Sequence, residues 1–232
     1  MGYIHTGNKE IDVFLHGGYE TDVITTIYGP AGSGKTLLVL MALKETAKNK
    51  KVIFIDTEGG FSVERLKQID YDFEKTLNNI IFLKPYNFEE QNNAIQKIAE
   101  FANKNIGLII IDTISMLYRL ELGDKEAVSD TNRALGKQIS FLSELARKKS
   151  IPVLITNQVY ADFENKNNVN MVGGDLLKYG SKCLIELKKG KNIRIMEIKK
   201  HRYIKEGKEL AFRIVEKGIE VVRKKKGFNL FS

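Results

Sequence analysis

Short apolar runs alternate along this chain with longer stretches whose apolar residues recur every three or four positions. VITTIYG (23–29), KVIFIDTE (51–58), IIFLKP (80–85), LIIIDTISML (108–117) and IPVLITNQ (151–158) predict strands. Runs that are apolar on both sides are the mark of strands buried on two faces, as in parallel sheets. Between them, TLLVLMALKETAKN (36–49) and FSVERLKQI (61–69) predict helices. A third covers 87–105, with Asn87 as N-cap and Phe88, Ile95, Ile98 and Phe101 or Ala102 near one face. Leu135, Ile139, Leu142 and Leu145 form the stripe of a long helix that ends near RKKS (147–150). After about residue 180 the pattern changes: CLIELKKGKNIRIMEIKKHR (183–202) and ELAFRIVEKGIEVV (209–222) predict strands joined by turns at KKGKN and EKG. The expected fold is α/β, three-layered, with a mostly parallel central sheet extended by antiparallel C-terminal strands. It forms one domain over residues 1–232, with no linker and no internal repeat.

The turn after the first of these strands carries the chemistry. YGPAGSGKT (28–36) satisfies the phosphate-loop spacing through Gly29, Gly34, Lys35 and Thr36, with Pro30, Ala31, Gly32 and Ser33 inside the loop. Glycines let backbone N–H groups face phosphates, and the following helix adds its positive end. Lys35 then reaches the β/γ-phosphates and the Thr36 hydroxyl can ligate Mg²⁺. Hydrolysis also needs an acid at the tip of a neighbouring strand. Asp56 and Asp112 both end such strands, and spacing does not choose between them. Glu58, just past a strand end, is placed to deprotonate a water, with a solvated turn residue as the plain alternative.

Composition changes the picture in one respect. Thirty-seven Lys+Arg against 29 Asp+Glu give a formal charge of +8, which favours a polyanionic partner such as nucleic acid. The cations cluster at KKGKNIR (188–194), KKHRYIK (199–205) and RKKK (223–226), segments expected to share one side if the terminal strands are adjacent. No apolar run approaches the ~18 residues of a membrane span, and no secretory signal opens the chain, so a cytoplasmic protein is expected. Cys183, the single cysteine, is expected to be a buried, inert thiol. His5 and His16 lack Cys or acidic partners at ligand spacing, so zinc is not expected. The tail GFNLFS (227–232) is expected to pack on the core or to dock a partner.

In the same order, TGNKEIDVFLHGGYETDVITTIYGPAGSGKT, FIDTEGGFSVERL, LIIIDTISMLYR and LITNQV resemble the ATPase core of the RecA/RadA recombinases, over about residues 6–222. Within that family the chain most resembles the short archaeal paralogues of RadA. The resemblance implies a RecA-like P-loop ATPase core that binds ATP and Mg²⁺. It implies Asp112 as the magnesium-side acid, Glu58 as the general base, Arg65 stacking on adenine, and Gln158 sensing the γ-phosphate. It also implies that Lys200, His201 and Arg202, a triplet these paralogues carry, contact DNA or a neighbour's γ-phosphate.

The resemblance begins at the ATPase core, so the family's N-terminal DNA-binding domain and protomer-linking segment are not expected here. Its first DNA loop corresponds to RLELGDKEAVSD (119–130), with four acids against Arg119 and Lys125. Its second, YADFENKNNVNMVGGD (160–175), contributes Lys166, with Tyr160 and Phe163 as stacking platforms. Strand exchange by this chain alone is therefore not expected. The resemblance implies an accessory DNA repair and recombination protein, a weak DNA-dependent ATPase. Its implied partners are DNA, single-stranded or branched, the main RadA-type recombinase and other repair proteins. A monomer or dimer is expected rather than a long filament. The alternatives are a KaiC-like regulatory ATPase without a nucleic-acid role and a non-hydrolysing ATP-dependent adaptor.

Overall fold

A computed structural model describes residues 2–122, 125–161 and 169–222. The strands are β1 (Tyr3–Ile4), β2 (Tyr19–Glu20), β3 (Ile24–Tyr28), β4 (Lys51–Asp56), β5 (Ile80–Leu83), β6 (Ile106–Asp112), β7 (Val153–Asn157), β8 (Val159–Ala161), β9 (Val169–Met171), β10 (Cys183–Lys189), β11 (Arg194–Lys200), β12 (Glu209–Val215) and β13 (Gly218–Val221). The helices are α1 (Lys9–Phe14), α2 (Lys35–Ala47), α3 (Val63–Ile69), α4 (Phe73–Asn78), α5 (Phe88–Phe101), α6 (Met116–Glu121), α7 (Lys125–Lys149) and α8 (Gly174–Gly180).

Among the described residues, nine strands form one sheet in the order β13-β12-β11-β10-β3-β7-β6-β4-β5. The six strands from β10 to β5 are parallel, and β11, β12 and β13 continue the sheet antiparallel. Side chains alternate between faces along a strand, and β6 shows the result. Leu108 and Ile110 pack with α1, α2 and α3 on one side, while Ile109 and Ile111 pack with α5, α6, α7 and α8 on the other. Both cores are continuous along their faces, which makes the three layers.

Local signals place the elements. Asn87 accepts from the Glu90 N–H and starts α5, as its sequence predicts, and Ser62 does the same for α3 through the Arg65 N–H. Leu135, Ile139, Leu142 and Leu145 are all buried under α7. Cys183 is buried, and that burial pushes its thiol up to about 12, so it stays protonated and inert. One expectation fails. The run LIIIDTISML is not a strand throughout: β6 ends at Asp112, and Ile114 and Leu117 are buried at the entry to α6 instead. Short apolar runs do not by themselves separate strand from buried helix. No helix among the described residues is long and apolar enough to cross a membrane. The segments 223–226 and 227–232, together with Phe163 and Lys166, lie outside the described residues.

Candidate functional site

In parallel strands every carboxyl end lies on one edge of the sheet, where loops leave for the helices. The turn from β3 to α2 lies there. Gly29 has a positive φ of 155° and approaches β10 so closely that a Cβ would fall 2.3 Å from the Leu187 carbonyl oxygen. Gly34 caps α2 with φ 104° and no side-chain hydrogen bond. The first-turn amides of a helix have no partner within it, and here no capping side chain takes them. The Ser33 hydroxyl is buried and has no partner among the described residues.

Lys35 folds back over the loop, its Nζ donating to the carbonyls of Gly29 (2.8 Å) and Pro30 (3.0 Å). Burial lowers its affinity for a proton, and Glu58 and Asp112 oppose that effect. Thr36 Oγ1 donates to Asp112 Oδ2 at 2.9 Å, and Thr156 Oγ1 donates to Asp112 Oδ1. Burial raises the Asp112 carboxyl, the hydroxyls of Thr156 and Thr36 pull it down, and the charges of Glu58 and Asp56 raise it again, for a net upward shift. Asp56 is occupied differently: its two oxygens accept from the N–H groups of Gly60 (3.0 Å) and Phe61 (3.2 Å) and so shape the turn after β4. Adjacent pairing of β4 with β6 leaves Asp112, not Asp56, against Thr36.

Glu58 stands on that turn. Its Oε1 accepts from Thr113 Oγ1 at 3.0 Å and from the Gln158 side-chain amide. Gln158 Oε1 in turn accepts from Arg119 Nη1 at 3.5 Å. Arg65 Nη2 donates to the Val215 carbonyl (2.9 Å), and Nη1 donates to Glu216 O (3.0 Å) and Gln68 Oε1 (2.6 Å). A cavity of about 310 Å³ is bounded by Ala31, Gly32, Gly34, Lys35 and Thr36 on the loop side, with Glu58, Arg65 and Gln158 facing them. The residue set fits a magnesium triphosphate: an ammonium, free amides and an orphan hydroxyl for phosphate oxygens, and a hydroxyl–carboxylate pair for the metal.

Thr113 and Thr156 are not among the residues the sequence singles out, and Arg119, expected only as a cation of the first DNA loop, also reaches Gln158. A hydroxyl inside an apolar strand end is the one trace Thr156 leaves in the chain. Ile214, which also lines the cavity, left none.

Lys200, His201 and Arg202 lie elsewhere. β11 runs antiparallel to β10, and Lys200 pairs with Leu184 near the start of β10, so the triplet sits at the amino edge, opposite the phosphate loop. Lys200 Nζ donates to Lys178 O (2.6 Å), and Arg202 Nη1 donates to Asp22 Oδ2 (3.1 Å). His201 Nδ1 accepts from Ile204 N at 3.3 Å. Segment 188–194 stays at the carboxyl edge, where Arg194 Nε donates to Gly32 O at 3.2 Å. The expectation that 188–194 and 199–205 share one side is therefore wrong: the hairpin carries them to opposite edges. His5, read as lacking an acidic partner, meets Asp12 at 3.0 Å.

A glycine-rich loop after a central strand, a strand-end acid two strands away bonded to the loop's threonine, and antiparallel strands beyond define a P-loop ATPase core of the RecA type. The Rad51 family model matches residues 1–222. The chain is 46% identical over 217 residues to the DNA repair and recombination protein RadB of Methanococcus maripaludis strain C7, covering 92% of this chain and 99% of that protein. It is 42% identical to the protein of the same name from Methanobrevibacter smithii, covering 91% and 93%, and 41% identical to that from Methanocaldococcus jannaschii, covering 92% and 99%. A crystal structure of the RadB recombinase superposes with a TM-score of 0.80 at 34% identity, covering 95% of this chain and 100% of that one. The chain belongs to the RadB family of archaeal DNA repair and recombination proteins, within the Rad51 family.

Proposed function

We propose that this chain binds ATP with Mg²⁺, hydrolyses it slowly, and binds DNA as an accessory factor to the main RadA-type recombinase in the cytoplasm. The observation that carries the reading is Thr36, which lines the same cavity as Lys35, Glu58 and Gln158 and donates to Asp112 at 2.9 Å. Lys35 and the loop amides hold the β- and γ-phosphates. Thr36 and Asp112 hold Mg²⁺, which when bound neutralises charge on the phosphate oxygens. Glu58, oriented by Thr113 and Gln158, takes a proton from water as its oxygen attacks the γ-phosphorus in line, and the bond to the β–γ bridging oxygen breaks. Gln158 links that base to Arg119 at the start of the first candidate DNA loop. Slow turnover is expected because Lys35 and Arg65 are the cations lining the cavity among the described residues. The names of the relatives favour a nucleic-acid role over a regulatory ATPase without one. Lys200, His201 and Arg202, at the opposite edge from this chain's own loop, are proposed as contacts to DNA or to a neighbouring protomer's phosphates.

Single-turnover hydrolysis tests the reading. Glu58→Gln should retain ATP binding while the rate falls by about 10²–10⁴. Equal rates in wild type and variant would remove Glu58 from the chemistry, and no turnover in wild type would favour the non-hydrolysing adaptor.

A further inference from the structure

The starts of the parallel strands, and the loops that feed them, make up the amino edge. Lys50 precedes β4, Lys104 precedes β6, Lys149 ends α7 ahead of β7, and Lys182 precedes β10. These four lysines are exposed and form no ion pair with any described residue. Two cavities open on this edge. One, of about 750 Å³, is lined by Lys50, Lys104, Lys148 and Lys149. The other, of about 380 Å³, is lined by Arg147, Lys182 and Arg202, with the hydroxyls of Ser140 and Ser143. They meet at the end of α7, since Arg147 belongs to one and Lys148 to the other. Three acids of this edge are already engaged, Asp22 by Arg202, Glu45 by Lys48 and Glu144 by Lys148, while Glu20 faces Arg202 and Glu206 faces Lys200.

From β10 to β4 the sheet order is β10-β3-β7-β6-β4, which at the usual strand spacing is about 19 Å. Along that length a duplex presents about eleven phosphates. Helix dipoles give one ordinary reason for cations here, because parallel topology puts helix C-termini on this edge. That attraction fades within the last turn, which covers Arg147, Lys148 and Lys149. Lys50, Lys104 and Lys182 lie two or three residues past their helices, which end at Ala47, Phe101 and Gly180, and extend the band of cations beyond the last turn of α7.

We infer that this amino-edge band, centred on Lys104, Lys149 and Lys182, binds the phosphate backbone of nucleic acid without base specificity, on the side of the sheet away from the nucleotide. The inference rests on the DNA-binding reading above and gives it a location. It also separates that location from the loop 119–130, whose four acids repel a backbone.

The test is fluorescence anisotropy with labelled duplex and single-stranded DNA between about 50 and 200 mM salt, where each phosphate contact contributes a slope of about −0.9 for duplex and about −0.7 for single strand. Lys104→Ser/Lys149→Ser/Lys182→Ser should flatten the duplex slope by about 2.7 and weaken binding on the order of 10²-fold at 100 mM salt, with ATP affinity unchanged. Lys9→Ser/Lys75→Ser/Lys191→Ser removes the same charge elsewhere and should leave the slope as in wild type. The arm with the larger loss identifies the strand form the band takes. A wild type that binds neither DNA overturns the DNA reading and this inference together. A wild type that binds while the band variant matches it, or while both triple variants lose equally, overturns the inference alone. Phosphatidylserine vesicles serve as a third arm, and wild-type binding to them as tight as to DNA, lost in the band variant, would assign the band to a membrane surface instead.

Discussion

Thr156→Val isolates the support of Asp112, the acid proposed to face the metal. Thr156 is fully buried near the end of β7, and its hydroxyl donates to Asp112 Oδ1 while Thr36 serves Oδ2. Valine keeps the shape and removes the donor, so a buried carboxylate oxygen loses its partner. Hydrogen bonds to charged groups contribute about 1.5–3 kcal/mol. For a chain of this size that corresponds to a fall in Tm of about 3–12 °C. Thr26→Val provides the neutral comparison, because Thr26 Oγ1 and Ser181 Oγ share a buried bond of 2.8 Å between uncharged groups. Its expected cost is about 0.5–1.5 kcal/mol. The two variants part further when ligand is added. Loss of a hydrogen bond that orients a metal-holding carboxylate typically weakens the metal about 10–100-fold. At saturating nucleotide analogue that removes about 1.4–2.7 kcal/mol of the stabilisation Mg²⁺ provides. Calorimetric melting over a Mg²⁺ titration measures both effects. If Thr156→Val melts no lower than Thr26→Val and its Mg²⁺ curve superposes on wild type, the assignment of Asp112 as the supported metal-side acid is wrong.

Three further outcomes are expected. Glu197 lies between Lys188 and Lys199; burial alone would raise its carboxyl, but the hydrogen bonds and charges of the two lysines outweigh burial and hold it below the ordinary value of 4.5. A depressed carboxyl gives stability that is present above 4.5 and lost as pH falls through the folded value. Acid titration of the urea midpoint should therefore show a steeper decline for wild type than for Glu197→Gln. Lys200→Ala with Arg202→Ala should weaken DNA binding or DNA-stimulated ATPase, and unchanged affinity and turnover would remove the triplet from function. Arg65→Ala should lower ATP affinity about 2–30-fold, the range of a guanidinium on an aromatic face, with tripolyphosphate affinity unchanged in isothermal titration.

The parts of the site that are contiguous in the chain were the legible ones. Gly29 to Thr36 declare themselves because loop and helix start must lie in sequence for the backbone to wrap a phosphate. Asp112 and Asp56 were not separable, since both end apolar strands; the pairing of β4 with β6 and the contact with Thr36 are facts of three dimensions. α1, α4 and α8 are six or seven residues long, about two turns, and were not anticipated, whereas the equally short α3 was. The basic segments misled for a geometric reason. Charge runs eleven residues apart, at 188–194 and 199–205, look like neighbours in a sequence, but β11 carries the second to the far edge. The resemblance to recombinases supplied roles for Glu58, Arg65 and Gln158 that their residue types alone leave open.

A guanidinium is a flat group with donors around its rim and a π surface above and below. Arg65 spends its rim on the carbonyls of Val215 and Glu216, and both of its faces remain free of those bonds. On the proposed reading, the platform Arg65 offers a base is levelled during folding, with the entropy of fixing a long side chain already lost before any nucleotide arrives. Discrimination between a nucleoside triphosphate and a bare polyphosphate then depends, under this proposal, on how α3 is fastened to the far hairpin.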